Sequence, residues 1–241
     1  MPYDPLHRSA EQRAVLDAIL GRAEAHGRQG VAVLDLDGTL FDTRPRQMAI
    51  LRKYALQHHF PALLRVKEAH FIDWSLSRTL SNAGIKKALI EAHRAPLLRF
   101  WEQRFFNGAW LHHDRPMPGA PEMTRALADH GSSIVYLTGR HLPMREGTLS
   151  ALRRGGFPWG HGQHLLLKPK FYDEDTEFKD RALEHIASLG RPTLFLDNEP
   201  ANVNLFHQRH PDAMVVYVET DHSFRPIEAD PSLPRIRGFL R

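Results

Sequence analysis

Short apolar runs alternate along the chain with segments in which apolar residues recur every three or four positions. The runs cover residues 31–36, 133–137, 164–167, 193–196 and 213–218. Their length and β-branched content predict strands that are buried on both faces. The periodic segments predict helices over 119–130, 143–154, 176–189 and 199–209, after an amphipathic helix that Ser9 caps and Gly27 ends. Strands that alternate with helices favour a doubly wound α/β fold around a mainly parallel sheet.

Residues 44–113 interrupt this alternation. The segment has helical spacing throughout, and it is too long for an ordinary crossover between strands. Nine of the 22 Phe, Tyr and Trp residues lie in it, enough for a small core of its own. Phe60-Pro61, Gly84 and Pro96 are predicted to break its helices.

We therefore predict two structural units. An all-α cap subdomain covers 44–113, and an α/β core covers 1–43 and 114–241. Pro116, Pro118 and Gly119 are predicted to form the hinge between them. The last residues, 229–241, are predicted to form a loosely ordered tail.

The amino-acid composition excludes several kinds of site and partner. The 241 residues include no cysteine, which excludes disulfides, thiolate metal sites and thiol nucleophiles. The net charge of +4 comes from Arg residues scattered over every segment, so no nucleic-acid partner is expected. No apolar run approaches the roughly 20 residues that span a bilayer, and the start, MPYDPLHRSAEQR, lacks an apolar leader. We expect a cytoplasmic protein with no membrane partner.

The strongest local signal is the hexapeptide of residues 35–40, Asp-Leu-Asp-Gly-Thr-Leu, at the end of the first predicted strand. Open α/β sheets bind their ligands at the carboxyl ends of their strands. Paired carboxylates at the end of a buried strand repel each other unless a cation or a proton separates them. Asp35 and Asp37 therefore indicate a metal site or acid/base chemistry.

The hexapeptide resembles the first motif of the haloacid dehalogenase-like hydrolase superfamily, Asp-x-Asp-Gly-Thr followed by an apolar residue. The resemblance implies that Asp35 is the nucleophile that attacks phosphorus and that Asp37 is the general acid and base. Dehalogenase members lack an acid at the second position, so Asp37 favours the phosphatase branch. A carboxylate needs no deprotonation to act as a nucleophile, and an aspartyl-phosphate divides one difficult step into two easier ones.

Residues 136–140, Tyr-Leu-Thr-Gly-Arg, resemble the second motif of the superfamily, a strand that ends in Ser or Thr. The resemblance implies that the Thr138 hydroxyl binds phosphoryl oxygens. Gly38 and Gly139 would let the backbone approach the phosphate closely. Arg140, together with Arg44 and Arg46, is a candidate for gripping anionic groups of the substrate.

The third motif is a lysine, for which Lys179 and Lys168 are the alternatives. Lys179 lies in the first turn of a predicted helix, where the helix dipole disfavours a cation unless an anion is near. Its sequence, Thr-x-Phe-Lys, resembles a variant found in lipin-type domains. Lys168 precedes a proline at a strand end, which resembles the Lys-Pro form of the motif. We favour Lys179 and keep Lys168 as a phosphate-binding alternative.

The fourth motif is an acidic strand end, and Asp197 supplies it. The resemblance implies a Mg²⁺ site made by Asp35, the Asp37 carbonyl, Asp197 and Asn198, with Glu199 or Asn202 as alternatives to Asn198. Oxygen ligands and several waters are what Mg²⁺ prefers.

The resemblance covers residues 29–218 in motif order. It implies that the inserted helices cap the active site and that the substrate is a small phosphorylated metabolite. The expected activity is Mg²⁺-dependent phosphate hydrolysis through phosphorylated Asp35. A phosphomutase of the same superfamily and a non-catalytic protein that binds a phosphorylated ligand are the alternatives.

Overall fold

The computed structural model describes residues 9–223 and 225–241. Its main element is a six-stranded sheet whose neighbouring strands all pair in parallel. Its strands are β1 Gly30–Leu34, β4 Ser133–His141, β5 Gln163–Lys168, β6 Arg191–Asp197, β7 Met214–Val218 and β8 Arg235–Ile236. The order across the sheet is β5-β4-β1-β6-β7-β8. The first predicted strand is therefore central, with β4 and β6 as its neighbours.

Helices cover both faces of the sheet. They are α1 Ala10–His26, α5 Ala120–Asp129, α6 Arg145–Arg154, α7 Asp175–Leu189 and α8 Pro200–Arg209. Alternate residues of β1 point to opposite faces, as the pleat of a strand requires. Ala32 and Leu34 pack in the apolar cluster of α1, α5 and α6, whereas Val31 and Val33 pack in that of α7 and α8. The predicted doubly wound α/β fold is confirmed.

The inserted segment is helical, with its own apolar cluster around Tyr54, Leu97 and Phe100. Its helices are α2 Arg44–Gln57, α3 Leu76–Asn82 and α4 Lys87–Phe105, joined by short 3₁₀ turns. An antiparallel ribbon of β2 Phe41–Asp42 and β3 Arg115–Pro116 joins the two passages between this segment and the sheet. The separate cluster supports the predicted division at 44–113, which stays a prediction.

Pro96 does not break a helix, as the sequence had suggested, but lies inside α4. Its side chain is exposed, while Leu97 and Phe100 bury an adjacent side of the helix. The carbonyl that Pro96 leaves without an N–H donor lies on the solvent side, where water can satisfy it. Packing of the buried side therefore keeps the helix continuous.

The prediction of a loosely ordered tail is wrong. Residues 235–236 form β8, which pairs with β7 at the sheet edge. Ile236 and Phe239 are buried in the α1 side of the core. Gln12 ties α1 to this segment, since its Nε2 donates to the Leu240 carbonyl at 3.1 Å and its Oε1 accepts from Arg237 N at 2.9 Å. β8 is only two residues long, and the apolar residues around it do not alternate with polar ones, so the pattern did not predict a strand.

The expectation of no leader rests mainly on residues 1–8, which lie outside the described residues. Within the described part of the chain, no helix combines the length and the apolar character that crossing a membrane requires.

If β8 is part of the core, Ile236→Ala lowers the free energy of unfolding by about 2–5 kcal/mol, the usual cost of emptying a buried aliphatic site. The matched control is Ile227→Ala, because Ile227 is 40% exposed whereas Ile236 is 1% exposed. We expect the control to change stability by no more than about 0.5 kcal/mol. Urea denaturation of both variants measures the difference, and equal midpoints would contradict the packing described here.

Candidate functional site

The predicted site residues meet where three neighbouring strands end. Asp35 directly follows β1, Thr138 lies near the end of β4, and Asp197 is the last residue of β6. The amide of Asp35 donates to the Leu196 carbonyl at 3.0 Å, which continues the pairing between β1 and β6 past the end of β1. Parallel pairing thus brings residues from three distant stretches of sequence to one edge of the sheet, as predicted.

Lys179 lies between two carboxylates at this edge. Its Nζ donates to Asp35 Oδ1 and to Asp197 Oδ2, at 2.7 Å in each case. All three side chains are buried. Burial alone would lower the pKa of Lys179, but the charges of Asp197 and Asp35 outweigh it and raise that pKa above its ordinary value. The ammonium therefore stays charged, which explains a buried lysine near the start of α7.

Asp35 is the least stabilised of these charges. Burial raises the pKa of Asp35 to about 7, against the opposing attraction of Lys179. Asp197 has additional donors, because the amide of Glu199 donates to its Oδ1 at 2.8 Å and Asn202 Nδ2 donates to its Oδ2 at 3.1 Å. Asp35 is thus the carboxylate with unsatisfied charge, and it faces the cavity.

Asp37 lies in a second charged group. Arg140 binds it with both ends of its guanidinium, with Nε at 3.0 Å from Oδ2 and Nη2 at 2.6 Å from Oδ1. Arg46 of α2 adds a third contact at 2.9 Å from Oδ1. Burial alone would raise the pKa of Asp37, but the charges of Arg140 and Arg46 outweigh it and hold that pKa well below its ordinary value. Asp37 is therefore ionised in this arrangement.

Asp114 completes this second group, and the sequence did not indicate it. Its carboxylate lies 2.9 Å from Arg140 Nη2 and 3.0 Å from Arg46 Nε, with no exposed surface. Burial raises the pKa of Asp114 to about 6, against the opposing charges of Arg46 and Arg140. Arg46 and Arg140 are bound to protein carboxylates on both sides, and their role in gripping the substrate stays a prediction.

The two predicted glycines are needed for close packing. At Gly38, which has φ +84°, a Cβ would lie 2.2 Å from Asn198 Nδ2. At Gly139, a Cβ would lie 2.5 Å from Asp175 Oδ2. A side chain at either position would displace a residue that lines the site. Thr138 is buried beside them, and its Oγ1 accepts from the amide of Arg140 at 3.2 Å.

The structure separates the two candidate lysines. Lys168 Nζ lies 2.5 Å from Asp175 Oδ1 and donates to the carbonyls of Phe171 and Asp173 at 3.1 and 2.9 Å. It holds the loop between β5 and α7 and does not line the cavity that contains Asp35. Only Lys179 of the two contacts Asp35.

The residues proposed to complete a metal site have other contacts. Asn198 Oδ1 accepts from Thr39 at 3.2 Å, and its Nδ2 donates to the Asp221 carbonyl at 2.7 Å. Glu199 binds Ser223, whose Oγ donates to it at 2.7 Å. Asn202 turns its donor nitrogen, rather than its oxygen, to Asp197. Asn198 lines the cavity, and its role as a ligand stays a prediction.

The donor set suits a hard cation. Among residues 9–223 and 225–241, no three His, Asp or Glu side chains are grouped as a metal centre. Mg²⁺ does not need such a group, because it commonly uses one or two carboxylates and keeps several waters. The carboxylates of Asp35 and Asp197, together with the Asp37 carbonyl, provide oxygen donors of this kind.

A cavity of about 90 Å³ lies over Asp35 and Asp37, with room for several waters or a phosphoryl group. Its outer wall is aromatic and comes from the inserted helices. Trp74, Phe105 and Phe106 form this wall. The sequence predicted that the inserted segment covers the site but did not indicate which of its aromatic residues face it.

Comparison with known proteins agrees with this architecture. A family model described as haloacid dehalogenase-like hydrolase matches residues 30–203. No curated protein matches the sequence. A predicted phosphoglycolate phosphatase from Haemophilus somnus is 15% identical, with a TM-score of 0.51 over 82% of this chain and 88% of that one. Protein Tyrosine Kinase A of Mycobacterium tuberculosis is 16% identical, with a TM-score of 0.54 over 87% of this chain and 93% of that one. At such identities the likeness is one of fold.

If Arg46 balances two buried carboxylates, Arg46→Met lowers the free energy of unfolding by about 3 kcal/mol, because Asp37 and Asp114 each lose a partner. The control is Arg52→Met on the same helix, since Arg52 is exposed, and we expect it to shift stability by less than about 0.5 kcal/mol. Urea denaturation compares the two. Adding Asp114→Asn to Arg46→Met should recover part of the loss, and a wild-type midpoint for Arg46→Met would show that the network does not hold these carboxylates.

Proposed function

Because the chain belongs to the haloacid dehalogenase-like hydrolases, we propose that it is a magnesium-dependent phosphatase that removes phosphate from a small phosphorylated substrate. The contact that carries this proposal is Lys179 Nζ, at 2.7 Å from both Asp35 and Asp197. It supports a nucleophilic carboxylate at a site that also gathers positive charge for a phosphoryl group. The family also favours this reaction over simple ligand binding.

In the proposed reaction, an Asp35 carboxylate oxygen attacks phosphorus and the bond from phosphorus to the leaving oxygen breaks. Asp37 donates a proton to that oxygen, so the leaving group departs as an alcohol. Asp37 then accepts a proton from water as the water oxygen attacks phosphorus. The bond between phosphorus and Asp35 breaks, which releases inorganic phosphate and restores both carboxyl groups.

The residues around Asp37 constrain its part in this reaction. Arg140 and Arg46 stabilise its ionised form, which is the form that accepts a proton from water. To donate a proton first, Asp37 must lose part of this attraction. A phosphoryl group beside Arg140 competes for the same guanidinium, which provides a physical route to that change.

Other residues would bind and orient the phosphoryl group. The Thr138 hydroxyl and the amides beside Gly38 and Gly139 would donate to phosphoryl oxygens. Lys179 would neutralise charge on Asp35 and on the phosphoryl group. Mg²⁺, held by Asp35, Asp197, the Asp37 carbonyl and Asn198, would supply further positive charge when bound.

The inserted helices would act as the cap of this site. Trp74 and Phe105 already form one side of the cavity over Asp35. An apolar wall excludes water and strengthens the electrostatic contacts beneath it. The cap and the small cavity support a small phosphate ester as the substrate.

The nucleophile is tested by Asp35→Asn. We expect Mg²⁺-dependent hydrolysis of an aryl phosphate to fall by at least about 10³-fold, because an amide cannot form the phosphorylated intermediate. Asp180→Asn is the control, since Asp180 lies on α7 and contacts Arg209 at the surface. Fluorine-19 NMR should also detect a beryllofluoride adduct on the wild-type protein and no such adduct on Asp35→Asn.

Several outcomes would contradict the proposal. If Asp35→Asn hydrolysed the substrate at the wild-type rate, Asp35 would not be the nucleophile. Full activity after treatment with EDTA would show that the reaction does not require Mg²⁺. Transfer of phosphate between two positions of one substrate, without release of phosphate, would favour the phosphomutase alternative.

The lysine assignment is tested by comparing Lys179→Ala with Lys168→Ala. We expect Lys179→Ala to lower kcat by about 10²- to 10³-fold, because a buried cation next to the reacting groups is lost. Lys168→Ala should retain most of the activity, since Lys168 contacts a loop carboxylate and carbonyls. Steady-state kinetics on one substrate measure both, and the reverse order of effects would make Lys168 the third-motif lysine.

A further inference from the structure

We propose that the substrate is a phosphate ester with a planar aromatic leaving group that binds against Trp74 and Phe106, in the aromatic wall that these residues form with Phe105. The inference rests on the proposed phosphatase reaction at Asp35 and specifies its substrate class. It also excludes leaving groups that carry a second phosphate or a carboxylate as the preferred class. Two independent properties of the cavity lead to it, its aromatic wall and its charge.

The three rings form a continuous wall with fixed geometry. Trp74 and Phe105 pack edge to face, with ring centroids 6.0 Å apart and planes at 68°. Phe105 and Phe106 pack in the same way at 5.1 Å and 82°. Trp101, stacked at 4.3 Å, and the Arg46 guanidinium, at 3.9 Å, cover the two faces of Phe105. Edge-to-face packing leaves faces of Trp74 and Phe106 available to a further aromatic group. The wall is therefore a surface that a planar ring can join at little cost in side-chain order.

Two of the three rings, Trp74 and Phe105, are tied to the α/β layer. Trp74 Nε1 donates to the Asp221 carbonyl at 3.1 Å. The guanidinium of Arg46 lies 3.9 Å from the Phe105 ring centroid while it binds Asp37. The rings are thus held in a fixed position relative to the carboxylates at the base of the cavity. A leaving group on phosphorus at Asp35 would extend toward this wall.

The charge of the cavity disfavours an anionic leaving group. Its lining includes four carboxylates, on Asp35, Asp37, Asp175 and Glu199, but three cations, on Arg140, Lys179 and Arg225. Among the described residues, each of these cations is already bound to a carboxylate, and Arg225 binds Glu174 at the outer rim. A second phosphate or a carboxylate would have to share one of these cations with the carboxylate that already binds it, whereas an uncharged ring would not.

The test compares benzyl phosphate with cyclohexylmethyl phosphate, using the wild-type protein and Mg²⁺. Both leaving groups are primary alcohols of similar size, so a difference in kcat/KM reports on the flat ring rather than on the ease of bond cleavage. We expect benzyl phosphate to be preferred by about three- to tenfold, the range that one aromatic contact supplies. Phosphoglycolate, which carries a carboxylate, should be hydrolysed with a lower kcat/KM than benzyl phosphate.

Variants at Trp74 assign the preference to the wall. Trp74→Leu should bring the ratio of the two kcat/KM values close to one, and Trp74→Phe should keep most of the preference. Both variants lose the hydrogen bond to Asp221, but only Trp74→Phe keeps a ring. Trp110→Leu is the matched control, because Trp110 belongs to the same inserted segment and does not line the cavity. It should leave the ratio unchanged.

The outcomes separate this inference from the proposed function. If none of the three phosphate esters is hydrolysed, the phosphatase proposal is overturned, and this inference with it. Equal hydrolysis of both esters, or faster hydrolysis of phosphoglycolate, would overturn the inference and leave a phosphatase. An equal loss of preference in Trp74→Phe and Trp74→Leu would also overturn it, since the hydrogen bond and not the ring would then be responsible.

Discussion

The rest of the site depends on one constraint, that charges removed from water must be paired. Asp35 and Asp197 are brought together because β1 and β6 are neighbours, and Lys179 between them supplies the positive charge that both carboxylates share. This requirement explains why a lysine lies near the start of α7, where the helix dipole does not favour a cation. A phosphoryl group or a metal entering the cavity would therefore change an electrostatic balance in which two carboxylates share one ammonium.

The same constraint connects the inserted helices to the sheet. Arg46 comes from α2 and Arg140 from the end of β4, yet both bind Asp37 and Asp114. The contact between the two parts of the chain thus includes an ion-pair network at the reacting carboxylates, beside apolar packing in which Leu111 and Phe106 join the cluster of α1, α5 and α6. Any movement of the inserted helices relative to the sheet must change the surroundings of Asp37.

Sequence reasoning succeeded where a residue's role follows from its position in an element. Buried strands of regular length placed Asp35 and Asp197 at one edge, and the family motif identified their surroundings. It favoured Lys179 and kept Lys168 as an alternative, because both lie at the ends of elements that reach this edge. It missed Asp114 and β8 for a different reason, since both depend on packing between stretches of sequence that are far apart.

The small ribbon of β2 and β3 has a consequence for the order of folding. Val31 of β1 pairs with Ser133 of β4, so closing the central pair of strands must bridge a long stretch of chain. If residues 44–113 collapse first and the pairing of Phe41 with Pro116 holds their ends together, the loop that remains is about one third as long. The entropic free-energy cost of closing this loop is then lower by about 1 kcal/mol. The inserted helices would thus assist the folding of the sheet, in addition to covering the site at its edge.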